Sequence, residues 1–150
     1  MGGKVVANKT YGMIKPDVYL SIGKIISIVE QNFNISNLKM FRMRVPDAEK
    51  FYAEHQGKSF YPGLVEFMTS DFAVGMELVA PDAIKKWREV LGPTNSEVAR
   101  EKAPQSLRAR FGTDGQKNCA HGSDSNESAE RELYQVFSSK NTLKVSFILI

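Results

Sequence analysis

The sequence predicts an α+β domain, with helices packed on one face of a small sheet. Three observations predict it: helical and alternating apolar periods take turns along the chain, the links between strand-like segments are long and helical, and one strand-like segment has a wet face. The order read from the residues is strand, helix, strand, helices, strand, helix, strand, helix.

Residues 10–15 read as a short strand that must stop at Pro16-Asp17, because proline cannot donate to a ladder. Ile22, Ile25, Ile26, Val29 and Phe33 recur at helical spacing. Residues 38–45 are strand-like, and Phe41, Met43 and Val45 alternate with Arg42 and Arg44. Asp47 is placed to cap a helix carrying Ala48, Phe51, Tyr52 and His55 on one side. Pro62 suits the first turn of a second short helix with Leu64, Val65 and Met68. Phe72, Val74, Met76 and Leu78 alternate as a strand. Asp82 then caps a helix with Ile84, Trp87 and Leu91 inward, and Gly92-Pro93 stops it.

Residues 92–117 have no sustained period, which marks a functional or disordered loop. Residues 118–120 read as a last short strand. Asp124 and Glu127 have capping-box spacing for a final helix with Ala129, Leu133, Val136 and Phe137 as its stripe.

A chain of 150 residues suits one domain with a real core. The apolar share of 42% and charged share of 25% are those of an ordinary globular protein. A net charge of +3 argues against nucleic acid or an anionic membrane surface as partner. No apolar run approaches the roughly 20 residues needed to span a bilayer, and no leader pattern is seen, so the expectation is a soluble cytoplasmic protein. The single cysteine, Cys119, excludes an internal disulfide and reads as a small buried apolar side chain.

Gly57-Lys58-Ser59 imitates the end of a phosphate-binding loop, but Tyr52 stands where that motif needs glycine. Two histidines and one cysteine, far apart, do not make a zinc site. The informative cluster runs from Asn118 through Cys119, Ala120, His121, Gly122 and Ser123 to Asp124 and Ser125. A histidine there sits just before a helix N-terminus, which is hospitable to anions. His121 is either a hydrogen-bonded strand-end residue or a nucleophile toward phosphorus. Glu132, at the border of the last helix's stripe, is a carboxylate in need of a partner, and an imidazole N–H would serve, leaving the other ring nitrogen free.

At this cluster the chain resembles the nucleoside diphosphate kinases, whose signature is Asn-x-x-His-Gly-Ser-Asp. Tyr11-Gly-Met-Ile-Lys15-Pro-Asp17, Phe60-Tyr-Pro62-Gly-Leu-Val65 and Leu91-Gly-Pro-Thr94-Asn95 resemble further family segments, in family order. The resemblance implies a ferredoxin-like four-stranded antiparallel sheet with helices packed around it, spanning 1–138, followed by a tail at 139–150. It implies transfer of the γ-phosphate of an NTP to an NDP by a ping-pong route through phospho-His121, with Mg²⁺ held mainly by the nucleotide phosphates. Carried over by position, Glu132 orients the ring and Ser123 supplies a nearby hydroxyl. Lys15, Arg88 and Arg108 match the phosphate-binding cations, Thr94 a phosphate-contacting hydroxyl, and Asn118 the residue that reaches the ribose. Phe60 matches the aromatic under the base, and Tyr52 the ring beside Lys15. A homo-oligomer is also implied.

The chain departs from the common cytosolic enzymes in three places. After Pro16-Asp17 it reads Val18-Tyr19-Leu20-Ser21-Ile22-Gly23, where they have a longer turn. The stretch 110–115 is longer than theirs, and 143–150 is strand-prone and nearly uncharged. The first two features are similar to the nucleoside diphosphate kinase 7 group, which implies a flagellar, ciliary or basal-body association with a cytoskeletal partner. The alternative is a noncatalytic subunit of such an assembly.

Overall fold

A computed structural model describes residues 8–138. The tail at 139–150, its strand-prone end included, lies outside the described residues. The elements are β1 (Lys9–Ile14), α1 (Ile22–Asn32), β2 (Asn34–Arg42), α2 (Val45–Phe51), α3 (Tyr61–Met68), β3 (Phe72–Val79), α4 (Ala83–Leu91), α5 (Ser96–Lys102), α6 (Leu107–Phe111), β4 (Ala120–Gly122) and α7 (Asn126–Phe137). The four strands form one sheet in the order β2-β3-β1-β4, with every neighbouring pair antiparallel. This is the ferredoxin-like arrangement.

The central strand β1 is buried from Thr10 to Ile14 and alternates between two cores. Ile14, with Val74, Met76 and Leu78 of β3, faces Ile25 and Val29 of α1 and Trp87 and Leu91 of α4. Tyr11 and Met13 face the other way, toward Phe51 of α2, Leu64 and Met68 of α3 and Val136 of α7. Helices therefore cover both faces of the sheet, not the one face expected. The reason is visible in β1: from Thr10 to Ile14 its residues are buried on both sides and leave no face to give to water.

Several local expectations are corrected. The second strand starts at Asn34 and ends at Arg42, so Val45 opens α2 and is half exposed. Asp47 is not the N-cap of α2; it occupies the third helical position and accepts from the Arg44 N–H at 3.1 Å. His55 falls beyond that helix, in a 3-10 turn at Ala53–His55. Asp82 is the N-cap residue of α4 but sits in the left-handed region at φ 51° and makes no side-chain cap. For the last helix the reciprocal pair is Ser125 and Ser128, not Asp124 and Glu127; Asp124 instead accepts from the Ser128 hydroxyl at 2.7 Å.

The aperiodic stretch is not bare loop. It folds into α5, capped by Asn95 accepting from the Glu97 and Val98 N–H groups, and α6, capped by Ser106. Helices this short carry too few turns to show a period. The last strand is Ala120–Gly122, which puts His121 at its centre rather than past its end.

Candidate functional site

His121 lies on β4 opposite Met13 of β1. Its Nε2 is 2.9 Å from Glu132 Oε1, and the same oxygen accepts from the Ser123 hydroxyl at 2.8 Å. Glu132 is 4% exposed, reaching the sheet from the inward side of α7. A carboxylate only accepts, so the proton between it and the ring belongs to Nε2. That leaves the lone pair on Nδ1. The ring packs at its edge against Phe51, with centroids 5.3 Å apart, and against Tyr11 at 6.1 Å. Ser123 is tied down in turn, facing Tyr11 across the strand pair.

A cationic group stands beside this triad. Lys15, just past β1, is almost fully buried, and its ammonium donates to Asn118 Oδ1 at 2.8 Å and to the Gln116 carbonyl at 3.3 Å. Burial, then the neighbouring Arg108, pulls Lys15 down to about 8, against the opposing pull of Asp17, Cys119 and Asp114. The Arg108 guanidinium donates to the Gly92 carbonyl at 2.9 Å and to the Ala120 carbonyl at 3.0 Å, one residue before His121. Burial pulls it down to about 10; Cys119 opposes this and Arg88 adds to it. Its buried Nε has no hydrogen-bond partner among the described residues. These cations repel one another, which suits a site built to receive a polyanion.

Asn118 is buried and joins three segments, accepting from Lys15 and donating to the carbonyls of Thr94 at 2.9 Å and Gly115 at 3.3 Å. Asp17 accepts from the Cys119 N–H at 3.1 Å, where the backbone takes a positive φ of 78°. Burial raises the Asp17 carboxyl, against that N–H and Lys15. Cys119 is buried, and burial with Asp17 pushes its thiol up to about 12, so it is no ready nucleophile.

Arg88, Thr94 and Arg108 meet on the wall of an open cleft of about 960 Å³. Gly92, Asp124, Ser125 and Asn126 also line it, so the capped N-terminus of α7 opens onto it. His121 is not a wall residue; its neighbour Ala120 accepts from Arg108 of the wall, and Asp124 of the wall follows Ser123. Phe60 and Tyr52 are not wall residues either and approach His121 through a set of aromatic contacts. Phe60 is 48% exposed and meets His55 at 5.4 Å; His55 stacks on Tyr52 at 6.2 Å, and Tyr52 packs on Phe51 at 4.8 Å. A file of rings thus runs from an exposed phenyl to the His121 imidazole. Tyr52 meets this file and the field of Glu132, which with burial raises its phenol; no bond to Lys15 is formed.

Among the described residues no group of three or more His, Cys, Asp or Glu could hold a metal ion.

Sequence reading missed Phe51, Tyr11, His55, Asp17 and the polar end of Trp87. Trp87 was read as core, and it is fully buried, yet its indole N–H donates to the His121 carbonyl at 3.0 Å. Asp17 could have been found: an acid directly after a proline that ends a strand has few backbone partners nearby.

The family model described as nucleoside diphosphate kinase matches residues 8–142. The chain is 44% identical over 132 residues to the nucleoside diphosphate kinase homolog 7 of Rattus norvegicus, covering 87% of this chain but only 33% of that protein. It therefore spans about a third of the length of that relative. It is also 44% identical over 137 residues to the nucleoside diphosphate kinase of Aquifex aeolicus, covering 89% of this chain and 96% of that one. A crystal structure of the Aquifex aeolicus enzyme superposes with a TM-score of 0.85 over 91% of this chain and 99% of that one. The Halobacterium salinarum enzyme in complex with CDP, 31% identical, superposes with a TM-score of 0.80 over 90% of each chain.

Proposed function

Because this chain belongs to the nucleoside diphosphate kinase family, we propose that it moves the γ-phosphate of an NTP to an NDP in two displacements at His121 Nδ1. In the first, the Nδ1 lone pair forms a bond to the γ-phosphorus and the bond to the departing NDP oxygen breaks. In the second, the terminal oxygen of another NDP takes the same group from nitrogen.

The observation that carries this reading is the His121–Glu132–Ser123 set. Glu132 holds the proton on Nε2 and stabilises the positive charge that grows on the ring as Nδ1 bonds to phosphorus. Lys15, Arg88, Arg108 and Thr94 bind and orient the phosphates, so catalysis rests mainly on position and charge. The orphaned Nε of Arg108 supports this role, being a buried donor with hydrogen-bonding capacity to spare. Asn118 reaches the ribose while tying Lys15 in place. Phe60 offers a face to the base, which is tolerant of base identity because every base has a π-face. Tyr52 backs the phosphate site through the ring file. A magnesium ion carried in with the nucleotide would supply further charge neutralisation beside Lys15, Arg88 and Arg108.

The test is transfer of label from γ-labelled ATP to the protein and onward to GDP. Wild type is expected to label and His121→Ala to stay unlabelled; equal labelling of the two would remove His121 from the mechanism.

The same relatives support a homo-oligomer, and the exposed Leu38 and Met40 on the edge strand β2 favour a covered surface there. Sedimentation showing only monomer would count against it. A second reading, a noncatalytic subunit of a flagellar or microtubule assembly, is favoured by Leu20. This leucine is 86% exposed, in the very turn where the sequence departs from the common enzymes. A cytoplasmic protein associated with flagellum, cilium or basal body fits both readings, and imaging of the tagged protein tests it. Folded wild type without NTP:NDP exchange would select the noncatalytic reading.

A further inference from the structure

We propose that Trp87 is a positioning residue for the nucleophile, holding the His121 strand at a fixed distance from the helix that carries Arg88. The inference rests on the reading of His121 as nucleophile.

β4 is a three-residue strand at the sheet's edge, paired with β1 alone. One ladder this short is a weak hold for a residue that must meet phosphorus in line. Glu132 holds the ring and Arg108 the Ala120 carbonyl, and Trp87 adds a tether on the backbone of the nucleophile's own residue. Its N–H donates to the carbonyl of His121 itself, at 3.0 Å.

The surroundings are shaped for this contact. Gly12 and Gly122 face each other across the β1–β4 pair. A methyl group on Gly122 would stand 2.6 Å from the Trp87 Cδ1 and 2.9 Å from its Nε1, and one on Gly12 would stand 3.0 Å from Cε2. Two glycines at one rung let the indole lie directly on the backbone beside His121. Phe33 braces the ring edge-on, with centroids 5.8 Å apart. A phenylalanine could occupy much of this slot, but it could not donate.

Trp87 and Arg88 are adjacent on α4, and Arg88 lines the cleft. A shift of α4 is therefore transmitted to the His121 backbone, and the Trp87 hydrogen bond is the polar link between that backbone and the helix of Arg88. Misplacement by about 1 Å is enough to cost on the order of 10²-fold in rate.

The chain contains one tryptophan. Supplying benzothienylalanine during expression therefore alters this residue alone, putting sulfur in place of the N–H while keeping shape and burial. The single-turnover rate of His121 labelling and kcat are expected to fall about tenfold. KM for NDP is expected to stay within about twofold of wild type. Trp87→Phe should show the same split. If neither protein folds, Gly122→Ala reads the same coupling from the strand side, displacing the indole while leaving its N–H, and should again lower kcat with little change in KM. Unchanged kcat in any folded member of this set overturns the proposal, as does a loss confined to KM. Equal rates for analogue and wild type alongside an inactive His121→Ala would overturn the Trp87 role alone. Undiminished labelling of His121→Ala would overturn both.

Discussion

Raising the pH through 8 is expected to lower catalytic efficiency while strengthening the fold, and the same ammonium is responsible for both. Lys15 is buried beside Arg108, which with desolvation brings its midpoint down to about 8 from the ordinary lysine value of 10.5. Each pH unit above that midpoint removes about nine-tenths of the remaining charged form, so kcat/KM, which reports the free enzyme, should fall about tenfold per unit. The kcat limb should sit at higher pH, because bound phosphate favours the charged lysine.

For stability the sign is reversed. The unfolded chain keeps its lysine proton up to the ordinary value, so between 8 and 10.5 it binds more protons than the folded chain, and stability rises with pH. Integrated between pH 8 and 9, the Lys15 contribution is about 1 kcal/mol. From about pH 9 upward Cys119, whose burial and Asp17 neighbour push it to about 12, and then from about 10 the buried Tyr11 and Tyr52 pull the other way, since their unfolded forms ionise first. The assay is exchange with adenine and cytosine nucleotides, whose bases lose no ring proton in this range, paired with chemical denaturation, both on wild type and Lys15→Met. A level kcat/KM from about pH 7 to 9.5, or an alkaline limb that survives in Lys15→Met, would refute the reasoning.

Glu132→Gln keeps the side chain's shape but removes the charge opposite Nε2; kcat should fall about 10²-fold with the fold intact, and a value near wild type would show that the carboxylate is only structural. Phe60→Ala removes a half-exposed ring, so stability should move by less than about 0.5 kcal/mol. Nucleotide affinity should weaken by roughly 1–3 kcal/mol, alike for purine and pyrimidine nucleotides by calorimetry. Gly92→Ala places a methyl 2.4 Å from the Ser106 hydroxyl at a φ of 77°. It should lower stability by about 1–3 kcal/mol and raise KM, because the Gly92 carbonyl holds Arg108; an unchanged melting temperature would contradict this.

The helices α1 and α4 were readable because each buries one regular stripe long enough to show its period, β3 because its bulky apolar residues alternate, and β1 because an apolar run stops at Pro16. The caps were not: Asp47, Asp82 and Asp124 are all plausible N-caps by type, and backbone geometry settled their roles. The second core face was hidden because the apolar stripes of α2, α3 and α7 do not say which side of the sheet each covers, and that of α7 includes the buried Ser128 and Glu132. In the candidate site the His121–Glu132 pair was legible, since a carboxylate on an apolar stripe asks for a partner. The cleft wall around Arg88, Thr94 and Arg108 came from the family resemblance, not from spacing. The aim of the Trp87 N–H was beyond either, because it depends on the pairing of Gly12 with Gly122, which only the folded sheet brings together.

The three-residue length of β4 has a consequence for how the molecule breathes. β1 is enclosed between β3 and β4 and fully buried from Thr10 to Ile14, so the amides it pairs with β3 are expected to be among the last to open. The amides of Ala120 to Gly122 have one strand neighbour and a ladder of three residues, so they are expected to exchange before those that tie β1 to β3. The segment bearing the imidazole therefore depends on its side contacts with Glu132, Arg108 and Trp87, more than on its ladder, to keep its place between one nucleotide leaving and the next arriving.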